Sequence, residues 1–301
     1  MDKNYIISLL CEARQQSVKT AENACKSNGW DIFSIIKQHG YDKIGFTKPK
    51  HFLQKTLDCS GKGLTTLPTL PAGLEELDCS DNLLTELPEL PIALVRLICG
   101  KNQLCKLPVQ LPPNLRDLFC SNNQLTALAD ELPASLTCLY FGYNQLAKFP
   151  DNLPANLREL GCDGNQFTKL PDNLPDTLDM LDCTNNQLTE LPDSLPANLT
   201  QLYCGNNQLA KLPDNLPSKI GSLHCHNNQL TALPAHLPAH LYYLVCSDNQ
   251  LTQFPTELGG LDRLSCGGNP IIDFSLLTDI GMLKESEGEW VNEGLWEVDW
   301  G

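Results

Sequence analysis

The chain of 301 residues is 42% hydrophobic and 7% aromatic, enough apolar material for one large domain or two small ones, and this excludes general disorder. Against 36 Asp and Glu stand 21 Lys and Arg, a formal net charge of −15, so nucleic-acid phosphates and anionic membranes are repelled and nucleic acid is not expected as a partner. No apolar run is long enough to span a membrane, and the opening MDKNYIISLLCEARQQ lacks the pattern of an export leader, so neither membrane insertion nor conventional export is expected.

Residues 1–50 read as a short α-helical cap. Tyr5, Ile6, Leu9, Leu10 and Ala13 fall on one helical face behind Asp2 as N-cap. A second helix is predicted from Asp31 to about His39, with Gly40 as its stop. Cys11 and Cys25 lie in this segment, and His39 and His51 are the only bases near enough in sequence to activate them. A cysteine-dependent or ubiquitin-pathway enzyme housed here is the alternative to a purely binding function.

From about residue 54 to about residue 274 the sequence repeats every 20 or 21 residues in eleven copies of L-x-x-L-x-C-x-x-N-x-L-x-x-L-P-x-x-L-P. The L-x-C alternation predicts a short strand, and stacked strands predict a parallel sheet along one side of a solenoid. The L-P-x-x-L-P stretch returns the chain as extended or polyproline-like backbone, because Pro fixes φ and disfavours helix before it. Cys59, Cys79, Cys99, Cys120, Cys162, Cys183, Cys204, Cys225, Cys246 and Cys266 share one inward position, with Phe141 in the remaining unit. They read as reduced packing residues rather than as a disulfide set or a zinc-thiolate ladder, since the stack offers no Cys-x-x-Cys pair. Three residues on stand Asn82, Asn102, Asn123, Asn144, Asn165, Asn186, Asn207, Asn228, Asn249 and Asn269, a structural ladder whose amides are expected to bond backbone groups stranded inside the bend.

These residues resemble the leucine-rich repeat proteins, and within them the short bacterial subtype with the tandem L-P return strand. Segments such as LPDNLPDTLDMLDCTNNQLTELP look like the repeats of the YopM and IpaH classes of effectors. The resemblance implies a curved solenoid with its parallel strands on the concave face, secreted by a bacterium into a host cell and binding a host protein in the reducing host cytoplasm. About 27 residues follow the last repeat, too few for the ubiquitin-ligase domain of the IpaH class.

On the concave face the residue between Leu and Cys points outward, giving Asp58, Asp78, Ile98, Phe119, Tyr140, Gly161, Asp182, Tyr203, His224, Val245 and Ser265 in order. Ile98, Phe119 and Tyr140, with Tyr143, form one expected binding group; Tyr203, His224 and Val245, flanked by Tyr242 and Tyr243, form another. Arg96 and Arg116, with Arg158 and Arg263, are placed to bracket acidic groups on a partner. His224, His226, His236 and His240 are close in sequence but are not expected to converge on zinc, and Asp151, Asp172, Asp193 and Asp214 read as a solvated edge rather than a calcium row.

The chain thus divides into a helical cap (1–50), the repeat domain (51–275), and a C-terminal cap with an acidic, Trp-containing tail (276–301). Phe274, Leu276, Leu277 and Ile280 are expected to close the last turn; Trp290, Trp296 and Trp300 either fold back on it or anchor a partner. Glu285, Glu287, Glu289, Glu293 and Glu297 resemble glutamate-rich type IV secretion signals, and equally read as a solvated tail. The function expected is non-catalytic protein binding by a monomer, with no cofactor and no metal.

Overall fold

The computed structural model describes residues 55–292 except 130, 259, 272, 274, 280, 281, 287 and 288. The predicted helices of residues 1–50, with Cys11, Cys25 and His39, lie outside the described residues, as do His51, Phe274, Ile280, Glu287, Glu293, Trp296, Glu297 and Trp300.

Each repeat contributes one three-residue strand. In chain order these are β1 (Thr56–Asp58), β2 (Glu76–Asp78), β3 (Arg96–Ile98), β4 (Asp117–Phe119), β5 (Cys138–Tyr140), β6 (Glu159–Gly161), β7 (Met180–Asp182), β8 (Gln201–Tyr203), β9 (Ser222–His224), β10 (Tyr243–Val245) and β11 (Arg263–Ser265). Every strand pairs in parallel with the next, in a register that places leucine beside leucine, as Leu57↔Leu77 and Leu77↔Leu97. One inward leucine and two mostly outward flanks per strand turn a period of two into a leucine column beneath the sheet and two columns of side chains above it.

The core is the same in every turn. Leu74, Leu77, Cys79 and Leu84 of one repeat are at most 1% exposed, and their equivalents repeat this from Leu94 to Leu251. Each buried leucine contributes about 1.5–3 kcal/mol relative to exposure, so the solenoid is held by many equal increments between neighbours. Phe141 stands where other repeats have cysteine, and it does not enter alone. It meets Phe149 and Phe167 edge-on, both at 6.1 Å between ring centroids, while those two stack at 4.2 Å. The larger ring is thus accommodated by two further aromatics at leucine positions.

The asparagines close each bend. Asn186 donates through Nδ2 to the carbonyls of Cys162, Cys183 and Thr184, each at 3.1 Å, and its Oδ1 accepts the Phe167 N–H at 3.1 Å. Cys162 and Phe167 belong to the preceding repeat, so one side chain ties two turns together. Asn82 does the same at the first turn, where its Oδ1 accepts the N–H groups of both Lys62 and Leu64. The residue before each asparagine takes the left-handed conformation, as Asn122 (φ 58°), Asn185 (φ 55°) and Gly164 (φ 59°) do. Asn, Asp and Gly tolerate that region best, and they fill most of this column. Lys101 (φ 52°) and Tyr143 (φ 50°) are the exceptions.

The sheet continues past the last repeat. A five-residue helix α1 (Ser275–Asp279) leads into β12 (Met282–Ser286) and β13 (Glu289–Asn292). β13 pairs antiparallel with β11, and β12 pairs with β13, giving a thirteen-stranded sheet ordered β1 to β11, then β13, then β12. Trp290 sits opposite Leu264 and is 7% exposed, while Leu277 is fully buried. Both therefore cover the last turn. Among the described residues, the return segments contain no helix, and no helix is long and apolar enough to cross a membrane.

Candidate partner-binding face

The outward columns of the sheet gather the aromatic residues into two clusters. In the first, the rings of Phe119 and Tyr140 stack at 5.2 Å with 15° between planes. The guanidinium of Arg96 lies over the outer face of Phe119, 4.9 Å from its centroid, and is held there by Asp117 at 3.0 Å. The Tyr140 hydroxyl donates to Glu159 Oε2 at 2.7 Å; burial first, and then Glu159, push that phenol well above its ordinary value, so it stays a donor.

Glycine gives these rings their pose. A Cβ on Gly161 would come within 2.4 Å of Tyr140 Cδ1, and one on Gly164 within 2.7 Å of Tyr143 Cδ1. Each tyrosine therefore lies down over the next repeat rather than standing into solvent. Tyr143 reaches far enough for Asn185 Nδ2 to approach its hydroxyl at 3.4 Å, two repeats on, while remaining 52% exposed. A bulky residue in the left-handed region costs local stability, and such strain recurs at functional sites.

In the second cluster, Tyr203 and His224 meet at 4.6 Å, and His224 meets Tyr243 edge-on at 4.9 Å. Burial first, and then His226, lower the His224 pKa, so the ring is neutral at physiological pH. Val245 follows in the same column, half-buried, and Tyr242 is 50% exposed beside it, lying over Gly221. Ile98 is half-buried next to Phe119. Arg116 and Arg158 are exposed one residue before their strands, and Arg263 is exposed at the start of β11.

Of two polar groups between and beside the clusters, Asp163 was not singled out from the sequence and His226 was weighed only as a zinc ligand. The position after each cysteine is Ser, Gly or Thr except at Asp163 and His226, and each of these lies over a glycine of the preceding repeat, Gly142 and Gly205. That contrast within one column was the available signal. Asp163 is half-buried, and burial, then Asp182, push its pKa up to about 6. Asp182 accepts from the backbone N–H of Thr184 at 3.0 Å and from the Thr184 hydroxyl. His226 Nε2 lies 3.2 Å from Asn206 Nδ2, and Asn227 donates to Asn206 Oδ1 at 2.6 Å.

The other candidate sites sit elsewhere. His236 and His240 are exposed on the return side, away from His224 and His226, and Asp151, Asp172, Asp193 and Asp214 are all exposed, with Lys169 paired to Asp172 at 3.1 Å. Among the described residues, no three His, Cys, Asp or Glu side chains converge as metal ligands. No disulfide joins any of the twelve described cysteines. Burial pushes the thiol of Cys120 up to about 12 and those of Cys162, Cys183, Cys204, Cys225 and Cys246 well above the ordinary value. Such thiols are poor nucleophiles and behave as small apolar groups.

A parallel sheet with one strand per 20 or 21 residues, closed by an asparagine ladder, defines a leucine-rich repeat solenoid. Among solved structures, the chain is similar to YopM, a leucine-rich effector protein from Yersinia pestis, at 33% identity over 71% of this chain and 78% of that one, with a TM-score of 0.57. The functional domain of InlJ from Listeria monocytogenes, described as including a cysteine ladder, aligns at 23% identity over 76% of this chain and 67% of that one, TM-score 0.59, a likeness of fold. No family model matches the chain, and no curated sequence does. The chain belongs to the bacterial leucine-rich repeat effector family.

Proposed function

We propose that the protein is a non-catalytic binding protein, a bacterial effector of the short L-P repeat subtype that is delivered into a host cell and holds a host protein on its concave face. One observation carries this reading: two partly exposed aromatic clusters, Phe119 with Tyr140 and Tyr203 with His224 and Tyr243, are fixed on a rigid sheet by stacking and by glycine clearance. Rings held in place before binding lose little freedom on contact, and aromatic anchors on such surfaces dominate affinity. Buried thiols with no disulfide among the described residues fit a reducing compartment such as the host cytoplasm. The likeness to an effector protein supports delivery into a host.

The test is capture from host-cell lysate by the full chain and by a variant with Phe119, Tyr140, Tyr203 and Tyr243 replaced by alanine. All four are surface positions, so circular dichroism of the variant matches the parent. Loss of the captured protein from the variant is expected. Undiminished capture rejects the concave face as the binding surface.

A further inference from the structure

The concave face also indicates the chemistry of what it holds, on the reading that this face is the binding surface. In β3 and β4 the molecule displays a complete cation site of its own: Arg96 stacks on Phe119 and pairs with Asp117. A guanidinium satisfies both contacts at once because it is planar, permanently charged and weakly hydrated. Farther along, β6 to β8 present the same ingredients without the arginine. Asp182 stands between Gly161 and Tyr203 in the register, and the Tyr140 ring leans across Gly161 toward it. Asp163, from the turn after β6, adds a second carboxylate, near enough to Asp182 that the latter, after burial, raises its pKa. Among the described residues, neither Asp163 nor Asp182 forms an ion pair. The nearest acid on β6, Glu159, is occupied by the Tyr140 hydroxyl. Two carboxylates without a counter-ion, walled by tyrosine on both sides, are complementary to a cationic side chain, and the chain's net charge of −15 draws a basic partner toward it.

We propose that the span between Tyr140 and Tyr203 receives an arginine or lysine side chain from a basic segment of the partner protein, with Asp163 and Asp182 as its counter-ions and the two tyrosines as flanking rings. The bound side chain completes at β6 to β8 what Arg96 completes at β3 and β4.

The experiment selects random-sequence phage-displayed peptides on the full chain, then measures binding of the enriched peptides to three variants. These are Asp163→Asn with Asp182→Asn, Phe119→Ala with Tyr243→Ala, and Asp193→Asn with Asp214→Asn as a charge-matched control on the return side. Enrichment of Arg or Lys is expected, with affinity falling about tenfold in the Asp163/Asp182 variant and unchanged in the Asp193/Asp214 control. Replacing the enriched Arg by citrulline, which keeps the shape and removes the charge, produces a similar loss. Selection without Arg or Lys, or basic peptides that bind the Asp163/Asp182 variant undiminished, overturns the proposal. If such peptides still lose affinity in the Phe119/Tyr243 variant, the concave face remains the binding surface and only its assigned chemistry fails. Peptides indifferent to all concave substitutions refute both.

Discussion

Replacing Asn186 with alanine removes a side chain that is 9% exposed and engages four backbone groups. The carbonyls of Cys162 and Cys183 each keep a bond from the neighbouring ladder asparagine, Asn165 and Asn207, and the Thr184 carbonyl keeps the Gly164 N–H, but the buried N–H of Phe167 is left without a partner. Leaving that one buried donor unsatisfied costs about 1–3 kcal/mol. Asn186→Asp is the sharper variant. It keeps the acceptor for Phe167 but aims a carboxylate oxygen at three carbonyl oxygens, so it destabilises at least as much as alanine at neutral pH and less in acid, where the protonated carboxyl donates again. Urea unfolding of the full chain followed by far-ultraviolet circular dichroism measures both, with the midpoint compared across the variants. The neighbouring Asn185→Gly is the control. Asn185 is exposed with φ 55°, so glycine there leaves the midpoint nearly unchanged. A loss below about 1 kcal/mol in Asn186→Ala, or an aspartate variant as stable as the parent, refutes the ladder as the tie between turns.

Other perturbations follow from the same packing. Phe141→Cys restores the residue found at the equivalent position of the other repeats, yet it empties the space shared with Phe149 and Phe167 and costs about 2–4 kcal/mol in urea unfolding, where a stabilising outcome contradicts the aromatic cluster. Asp163 has its pKa raised from 3.8 to about 6, so the folded state binds the proton more tightly than the unfolded chain and stability falls as pH rises between those values. Asp163→Asn therefore stabilises the fold at pH 7 and not at pH 3.5, by about 1 kcal/mol after solvent screening of this half-exposed group, read as a raised melting temperature; a destabilised variant at pH 7 contradicts it. Among the twelve described thiols, exposed Cys105 is alkylated first in the native state, and half-buried Cys138, pushed up to about 11, reacts slowly. The ladder cysteines react only on unfolding, as peptide mapping by mass spectrometry will show; native labelling of Cys162 or Cys204 contradicts their burial.

Most of the scaffold was legible because its causes are local and repeated. Leu and Cys alternate across a three-residue strand, Pro interrupts the return, and an amide stands at each bend, so every repeat restates the same instruction. The left-handed column was equally visible as the Asn, Asp and Gly before each ladder asparagine, but Lys101 and Tyr143 interrupt it and the pattern passes unnoticed beside the stronger one. The terminal hairpin was not legible. MLKES and EWVN have no clean alternation, and EWVN pairs with β11, an edge supplied by residues well back in the chain, while MLKES pairs only with EWVN. The site divides along the same line. Outward aromatics follow from strand register, whereas the pose of Tyr140 depends on Gly161 one repeat later, and Asp163 acquires meaning only from Asp182 on the next strand.

On the proposed function, the sheet face grips the partner while the return side remains in solvent. A photoreactive benzoylphenylalanine placed singly at Tyr143, Tyr203 or Tyr242 on that face, and at Asp172 or Asp193 on the return side, tests it with the captured host protein bound. Crosslinks from the three tyrosine positions and none from the two aspartates are predicted; crosslinks from the aspartates alone contradict the claim.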